Sequence, residues 1–262
     1  KFGLAWPNGD WTKAGANGYV GDYIGSKASW YYTWDSAPLP MTDGLGLEFV
    51  PMLWGVLDRE GRDKIAKWNV DKDSWPASTK NALFFNEPNQ FDQSDKTVQQ
   101  AVPHWINTFA KVARHEKGLQ LGSAATTSAP DGLEWVLNFP KECVAQGHSA
   151  ADCEADFVAV HWYDVGVEKF KAYLEDFHKQ TGKSLWVTEY ACQNFNGGAQ
   201  CSKEETWALH TQMAKWFDEQ DWIARYAPFG AMREMQGVMD HNRLMAAGGE
   251  VTDLGNWYAW AS

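Results

Sequence analysis

Leu83-Phe84-Phe85-Asn86-Glu87-Pro88-Asn89 is an apolar run that ends abruptly on an amide and a carboxylate. Its near-continuous apolar character suits a parallel strand covered on both faces. Pro88 stops the strand, because proline has no backbone N–H to continue a ladder. A second stretch has the same form: Leu185-Trp186-Val187-Thr188-Glu189-Tyr190 also meets a carboxylate at its end. Working outward, eight runs share this length and bias, at 2–6, 30–34, 48–54, 82–86, 119–124, 157–162, 185–188 and 226–231.

Several of the intervening segments have helical period. Val98, Val102, Trp105, Phe109 and Val112 form one apolar stripe, with Pro103 inside it as a late start or a kink. Val167, Phe170, Leu174 and Phe177 form another, and Trp207, His210, Met213, Ala214 and Phe217 a third. Strands alternating with helices mean an α/β protein with a parallel sheet. Eight such units in 262 residues predict closure as a (β/α)8 TIM barrel, one catalytic domain over 1–262. The alternative, an open doubly wound sheet, lacks a Gly-rich phosphate loop after its first strand. No linker, repeat or low-complexity stretch divides the chain.

In such a barrel the chemistry lies at the C-terminal ends of the strands, and the fourth and seventh ends stand on opposite sides of the mouth. Glu87 and Glu189 are therefore expected to face each other. Paired carboxylates at that spacing are what glycosidic cleavage requires: one protonates the leaving oxygen and the other attacks the anomeric carbon. Val160-His161-Trp162-Tyr163 closes the sixth run, so His161 or Tyr163 is placed to donate to Glu189. Glu87 then needs partial desolvation to stay protonated, and Glu189 needs donors to stay ionised.

Composition agrees. There are 16 tryptophans, more than core packing calls for, and sugar rings pack their C–H faces on aromatic planes. Trp6, Trp34, Trp54, Trp162 and Tyr190 lie near strand ends and are candidate sugar contacts, with Asn89 and Phe195. A net charge of −11 excludes a nucleic-acid backbone as partner and suits a neutral polymer. No apolar run reaches the ~20 residues needed to cross a membrane. Cys143, Cys153, Cys192 and Cys201 allow three pairings, of which the neighbouring ones, 143–153 and 192–201, are expected. Such bridges imply an oxidising compartment, hence a secreted, extracellular protein. Phe2-Gly3-Leu4-Ala5-Trp6 reads as a strand start left after signal removal. No CxxC or HxxxH spacing suggests a metal site, and a monomer is expected.

Asn-Glu closing the fourth run and Glu closing the seventh resemble the retaining (β/α)8 glycoside hydrolases. The finer resemblance is to glycoside hydrolase family 128, the Asl1-like endo-β-1,3-glucanases. It rests on Gly3-Leu4-Ala5-Trp6, Phe85-Asn86-Glu87-Pro88-Asn89, Val160-His161-Trp162-Tyr163, Trp186-Val187-Thr188-Glu189-Tyr190-Ala191 and Gly249-Glu250-Val251-Thr252-Asp253-Leu254-Gly255. The resemblance implies a retaining, endo-acting cleavage of β-1,3-glucan, with Glu87 as acid/base and Glu189 as nucleophile. It implies no metal and no cofactor, and it places Asn86 on the 2-hydroxyl of the reacting sugar. Many relatives of this kind carry a Trp platform at the end of strand eight. Here that stretch is Phe229-Gly230-Ala231-Met232-Arg233, leaving Phe229 or a residue elsewhere to take the place. The competing readings are a glycan-binding protein without turnover, or an enzyme for β-1,4- or β-1,6-glucan, including a transglycosylase.

Overall fold

The computed structural model describes residues 1–9 and 14–261. Eight strands occur among them: β1 Gly3–Ala5, β2 Trp30–Tyr32, β3 Glu48–Phe49, β4 Asn81–Ala82, β5 Gln120–Leu121, β6 Val158–Asp164, β7 Leu185–Cys192 and β8 Ile223–Tyr226. The helices are α1 Lys64–Asp71, α2 Val98–His104, α3 Asp131–Ala145, α4 Ala150–Cys153, α5 Val167–Thr181, α6 Lys203–Glu219 and α7 Asp253–Trp260. All strand pairing is parallel, in three sheets ordered β1-β2-β3, β4-β5 and β6-β7-β8. Between sheets the pairing thins to isolated bridges, Met52 with Leu83, Gly122 with Phe157, and Phe2 with Tyr226. The protein is therefore α/β with short parallel sheets.

Six of the eight predicted runs overlap their strands by two residues or more; the fourth shares only Ala82 with β4, and 83–86 runs on beyond it with isolated bridges at Leu83 and Asn86. The eighth is corrected: β8 spans Ile223–Tyr226, and 227–231 continues as coil. Phe229 thus follows the strand through a backbone bond from its N–H to the Tyr190 carbonyl. The Val98 stripe forms α2, then passes at Trp105 into π-helical turns through Glu116. Pro103 supplies the cause, since its missing N–H and its ring disturb the i→i−4 ladder. On α6 the buried face is Thr206, Leu209, His210, Met213, Ala214 and Phe217. Trp207, expected in this stripe, lies outside the buried face, with its side chain partly exposed.

The period-two alternation of the strands sorts side chains between two environments. Trp6, Trp162, Tyr190 and Phe170 belong to the large cluster packed under the helices. Ala5, Trp30, Tyr32, Val50, Met52, Trp54, Leu83, Ala125, Phe157, Ala159, Trp186 and Ala227 form a separate cluster, with Trp34 against it. That second cluster draws on all eight strands or on the residues just after them, so one face of every strand points to a common interior.

Disulfides join Cys143 to Cys153 and Cys192 to Cys201, the pairs expected from spacing. The first ties α3 to α4 and the second closes the loop between β7 and α6. No helix among the described residues is long and apolar enough to cross a membrane.

Candidate active site

β6 and β7 build most of the site through one irregularity. Their register runs Val160 with Val187, then His161 with Glu189, so Thr188 is the extra residue. Partners in parallel register point to the same side. The shift therefore brings Glu189 onto the side of His161 and Tyr163. Regular pairing would have put Glu189 beside Trp162 and turned it toward the helices, because a one-residue slip exchanges faces. The same alternation sends Trp162 and Tyr190 outward.

Glu189 is 5% exposed and pinned at both oxygens. Trp34 Nε1 donates to Oε1 at 2.6 Å and the Tyr163 hydroxyl donates to Oε2 at 2.6 Å. His161 has no exposed surface, and its Nδ1 lies 2.8 Å from Glu87 Oε1. Its Nε2 is 3.4 Å from Glu189 Oε1, near enough for charge attraction, yet outside hydrogen-bond geometry. One oxygen of Glu87, one of Glu189 and a nitrogen of His161 all fall within 4.8 Å of one another. Among the described residues this is the one group of three such side chains close enough to share a cation. The Glu87 and Glu189 oxygens nearest the ring are instead engaged by His161 and Trp34.

Burial pushes the Glu189 carboxyl above the usual range. His161 opposes this, the Glu87 charge adds to it, and Tyr163 and Trp34 pull it back without cancelling it. Donors around Glu189 were expected and are present, but desolvation outweighs them. Burial disfavours charge on His161 as well. Glu189 and Glu87 overcome it, and the imidazole is raised above its ordinary value.

Four non-glycine residues have positive φ among the described residues, and two of them are Trp34 at 54° and Glu87 at 44°. Such backbone costs about 1–3 kcal/mol per residue and persists only where surrounding contacts hold it. Glu87 is held by its N–H to the Ala125 carbonyl and its carbonyl to the Gln90 N–H. Trp34 is followed by Asp35, whose carboxylate takes the Ser36 N–H at 2.7 Å and lies 3.3 Å from Lys64 and 3.5 Å from Lys67.

The expected site residues divide accordingly. Glu87, His161, Tyr163, Glu189 and Trp34 come together. Trp54 lines the same interior face and is 8% exposed. Phe195 is 56% exposed in the bridged loop, its ring 5.4 Å from Tyr163. Trp6, Trp162 and Tyr190 do not reach the site. Trp6 packs edge-on to Tyr23, Trp162 stacks on Phe170 at 4.2 Å, and Tyr190 bonds the Tyr258 hydroxyl at 2.6 Å. Asn89 is spent on the entry to α3, through Thr127 Oγ1, Asp131 Oδ1 and the Thr127 N–H. Asn86 is buried and turned to Gln93 Oε1 at 3.1 Å. Trp6, Trp162 and Tyr190 turn away for one cause: side-chain direction, which nearness to a strand end does not set. Sequence reasoning passed over Gln93 and Asp35 entirely, for they sit in loops with no periodicity to mark them. Phe229 stands edge-on to both Trp34 and Tyr163, at 5.9 and 5.8 Å.

The model of a glycosyl hydrolase catalytic core matches residues 3–258. Alkali-sensitive linkage protein 1 of Schizosaccharomyces pombe is 25% identical over 260 residues, which cover 98% of this chain and 44% of that protein. The chain thus spans less than half the length of this curated relative. An exo-β-1,3-glucanase of glycoside hydrolase family 128, subgroup V, from Cryptococcus neoformans superposes with TM-score 0.78 at 26% identity, covering 99% of this chain and 98% of its own. A family 128 subgroup II endo-β-1,3-glucanase from Sorangium cellulosum has the same fold, with TM-score 0.79 at 24% identity over 100% of this chain and 98% of its own.

Proposed function

Because the chain belongs to the glycosyl hydrolase catalytic core family, we propose that it is a retaining, endo-acting β-1,3-glucanase. The observation that carries the reading is the approach of Glu87 and Glu189 within 4.8 Å around His161. Retaining enzymes hold their two carboxyl groups about 5–5.5 Å apart, whereas inverting ones leave about 6.5–9.5 Å for a water.

Glu87 delivers its proton to the glycosidic oxygen as the bond to the anomeric carbon breaks. The Glu189 carboxylate attacks that carbon and forms a glycosyl ester. Water then attacks the anomeric carbon from the face the leaving group vacated. It gives its proton to Glu87, and Glu189 departs as a carboxylate. Tyr163 and Trp34 orient Glu189 before attack. His161, against Glu87 on one edge and near Glu189 on the other, faces whichever of the two carboxyl groups carries the negative charge as the proton moves.

One domain over 1–262, closed as a (β/α)8 barrel, is the architecture this reading uses. The interior cluster shared by all eight strands and the bridges between the three sheets support it. Exposed Phe195, 5.4 Å from Tyr163 in the bridged loop after Glu189, supplies an aromatic rim that favours a chain running past the site. Two disulfides support an extracellular location. The substrate partner is a β-1,3-glucan, taken by a monomer without metal or cofactor.

The test is incubation with laminarin, curdlan, lichenan, cellulose, mannan and pustulan. Oligosaccharides of mixed length from laminarin, with the β-anomer first by NMR, are expected. Release of glucose alone would replace endo by exo action. Early α-anomer would remove the ester. Products only from another glucan would overturn the substrate, and tight binding without products would leave a binding protein.

A further inference from the structure

We propose that Trp34 is a positioning residue for Glu189, which sets the plane of the carboxylate through its indole N–H, rather than a platform for sugar. The inference rests on the nucleophile role given to Glu189. The terminal torsion of a glutamate is broad and roughly two-fold, so a carboxylate held at one oxygen still turns. Tyr163 alone, on the neighbouring strand, would be such a single hold. Trp34 adds the second point from β2, 155 residues away in sequence, and the two bonds are equally short at 2.6 Å.

The indole is itself held on two sides. Tyr32 lies 4.8 Å from it and Phe229 meets it edge-on at 5.9 Å. Its backbone takes a positive φ of 54°, a conformation that needs external support in a bulky residue. Asp35 supplies that support. Its carbonyl accepts the Met52 N–H at 3.0 Å, and its carboxylate is clamped by Ser36, Lys64 and Lys67. The ion pairs at the head of α1 thus reach the nucleophile through one tryptophan. A ring meant to lie flat under a sugar would need neither the N–H contact nor this brace.

Trp34→Phe keeps an aromatic ring and removes the donor. The expected result is a kcat lower by about 10²-fold, on the scale of losing one preorganised donor, with KM changed less than twofold. The acid limb of kcat/KM should also move to higher pH. Ionised Glu189 is faced by Glu87 on the β4 side, His161 and Tyr163 on β6, and Tyr32 and Trp34 on β2. Taking away a donor from that set favours the protonated form. A sugar platform predicts the reverse, with kcat and the pH profile kept by Phe and KM raised by Ala. That outcome overturns the proposal.

Asp35→Asn is the second variant, used if Trp34→Phe does not fold. It should lower kcat several-fold at unchanged KM, and a wild-type kcat overturns the proposal. Each variant is also timed in its reaction with a 2-deoxy-2-fluoro glucosyl fluoride, which traps the ester. A label on Glu189 of the wild-type protein, formed as fast in both variants, refutes the role of Trp34 alone. A label on any other residue refutes the nucleophile reading and this inference with it.

Discussion

The two carboxylates stand at ends of very different construction. Glu189 lies inside an eight-residue strand paired along both edges and is gripped at each oxygen. Glu87 follows a two-residue strand, past a single bridge of Asn86 with Ala125, and its one side-chain partner is His161. On the proposed mechanism, the difference divides labour in the site. A nucleophile must meet one carbon along one line, and tolerates little displacement. An acid that later serves as a base must face first the leaving oxygen and then a water, so a single pivot suits it.

The largest effect should come from the rigid end. Glu189→Ala should lower kcat on laminarin by more than about 10⁴-fold, on the scale of removing a nucleophile, with an unchanged circular dichroism spectrum. Substantial residual turnover would break the comparison at once. Glu87→Ala should cost about 10²–10⁴-fold on glucan, the usual worth of general acid catalysis. On an aryl glucoside whose leaving group needs no proton, the loss should be far smaller. Equal losses on both substrates would erase the functional difference between the two ends.

A smaller effect concerns the scaffold behind the rigid end. His210 has no exposed surface; its Nδ1 meets the Tyr258 hydroxyl at 2.8 Å and its Nε2 meets Asn242 Oδ1 at 2.9 Å. Tyr258 in turn bonds Tyr190, and Asn242 takes the Cys192 N–H. This chain joins α6 and α7 to the strand that bears Glu189. Burial pushes His210 down to about 4. In the unfolded chain a histidine titrates near ~6.5. Between those values the unfolded state binds the proton and the native state does not. Stability should therefore fall as pH drops through that window and level off below it, by about 3 kcal/mol in all. Thermal melts from pH 7 to 4 test this, with His210→Gln expected to decline less steeply than wild type. Parallel slopes would place the acid sensitivity elsewhere.

The smallest change is at the rim. Phe195→Ala should raise KM for laminarin by about two- to fivefold, the scale of one exposed aromatic contact, and leave kcat as it was. A change in kcat would mean that the bridged loop acts on Tyr163 and hence on the nucleophile.

Much of this was legible along the chain. Apolar runs that meet Asn86-Glu87 and Glu189 mark the two acidic positions, although β4 ends earlier at Ala82 and β7 continues past Glu189 to Cys192. The pairing Cys192–Cys201 was legible too, since a loop of that length brings its own ends together. Trp6, Trp162 and Tyr190 were not, although alternation carries the signal: Tyr163 and Trp162 cannot share a face. Trp34 was legible as a site residue but its bond to Glu189 was not, because a strand-end tryptophan in sequence shows a ring and hides the direction of its N–H.

By itself the sequence determined the order of elements, the α/β class, the two acidic candidates and the local disulfides. Each follows from hydrophobic pattern or short-range closure, which one chain read in order displays. Only the tertiary structure decided that Thr188 is the extra residue that turns Glu189 toward His161. It alone decided that Trp34 and Tyr163 share Glu189 and that Asn89 serves a loop. These outcomes depend on register between strands and on contacts across more than a hundred residues, where a shift of one position reverses every side chain.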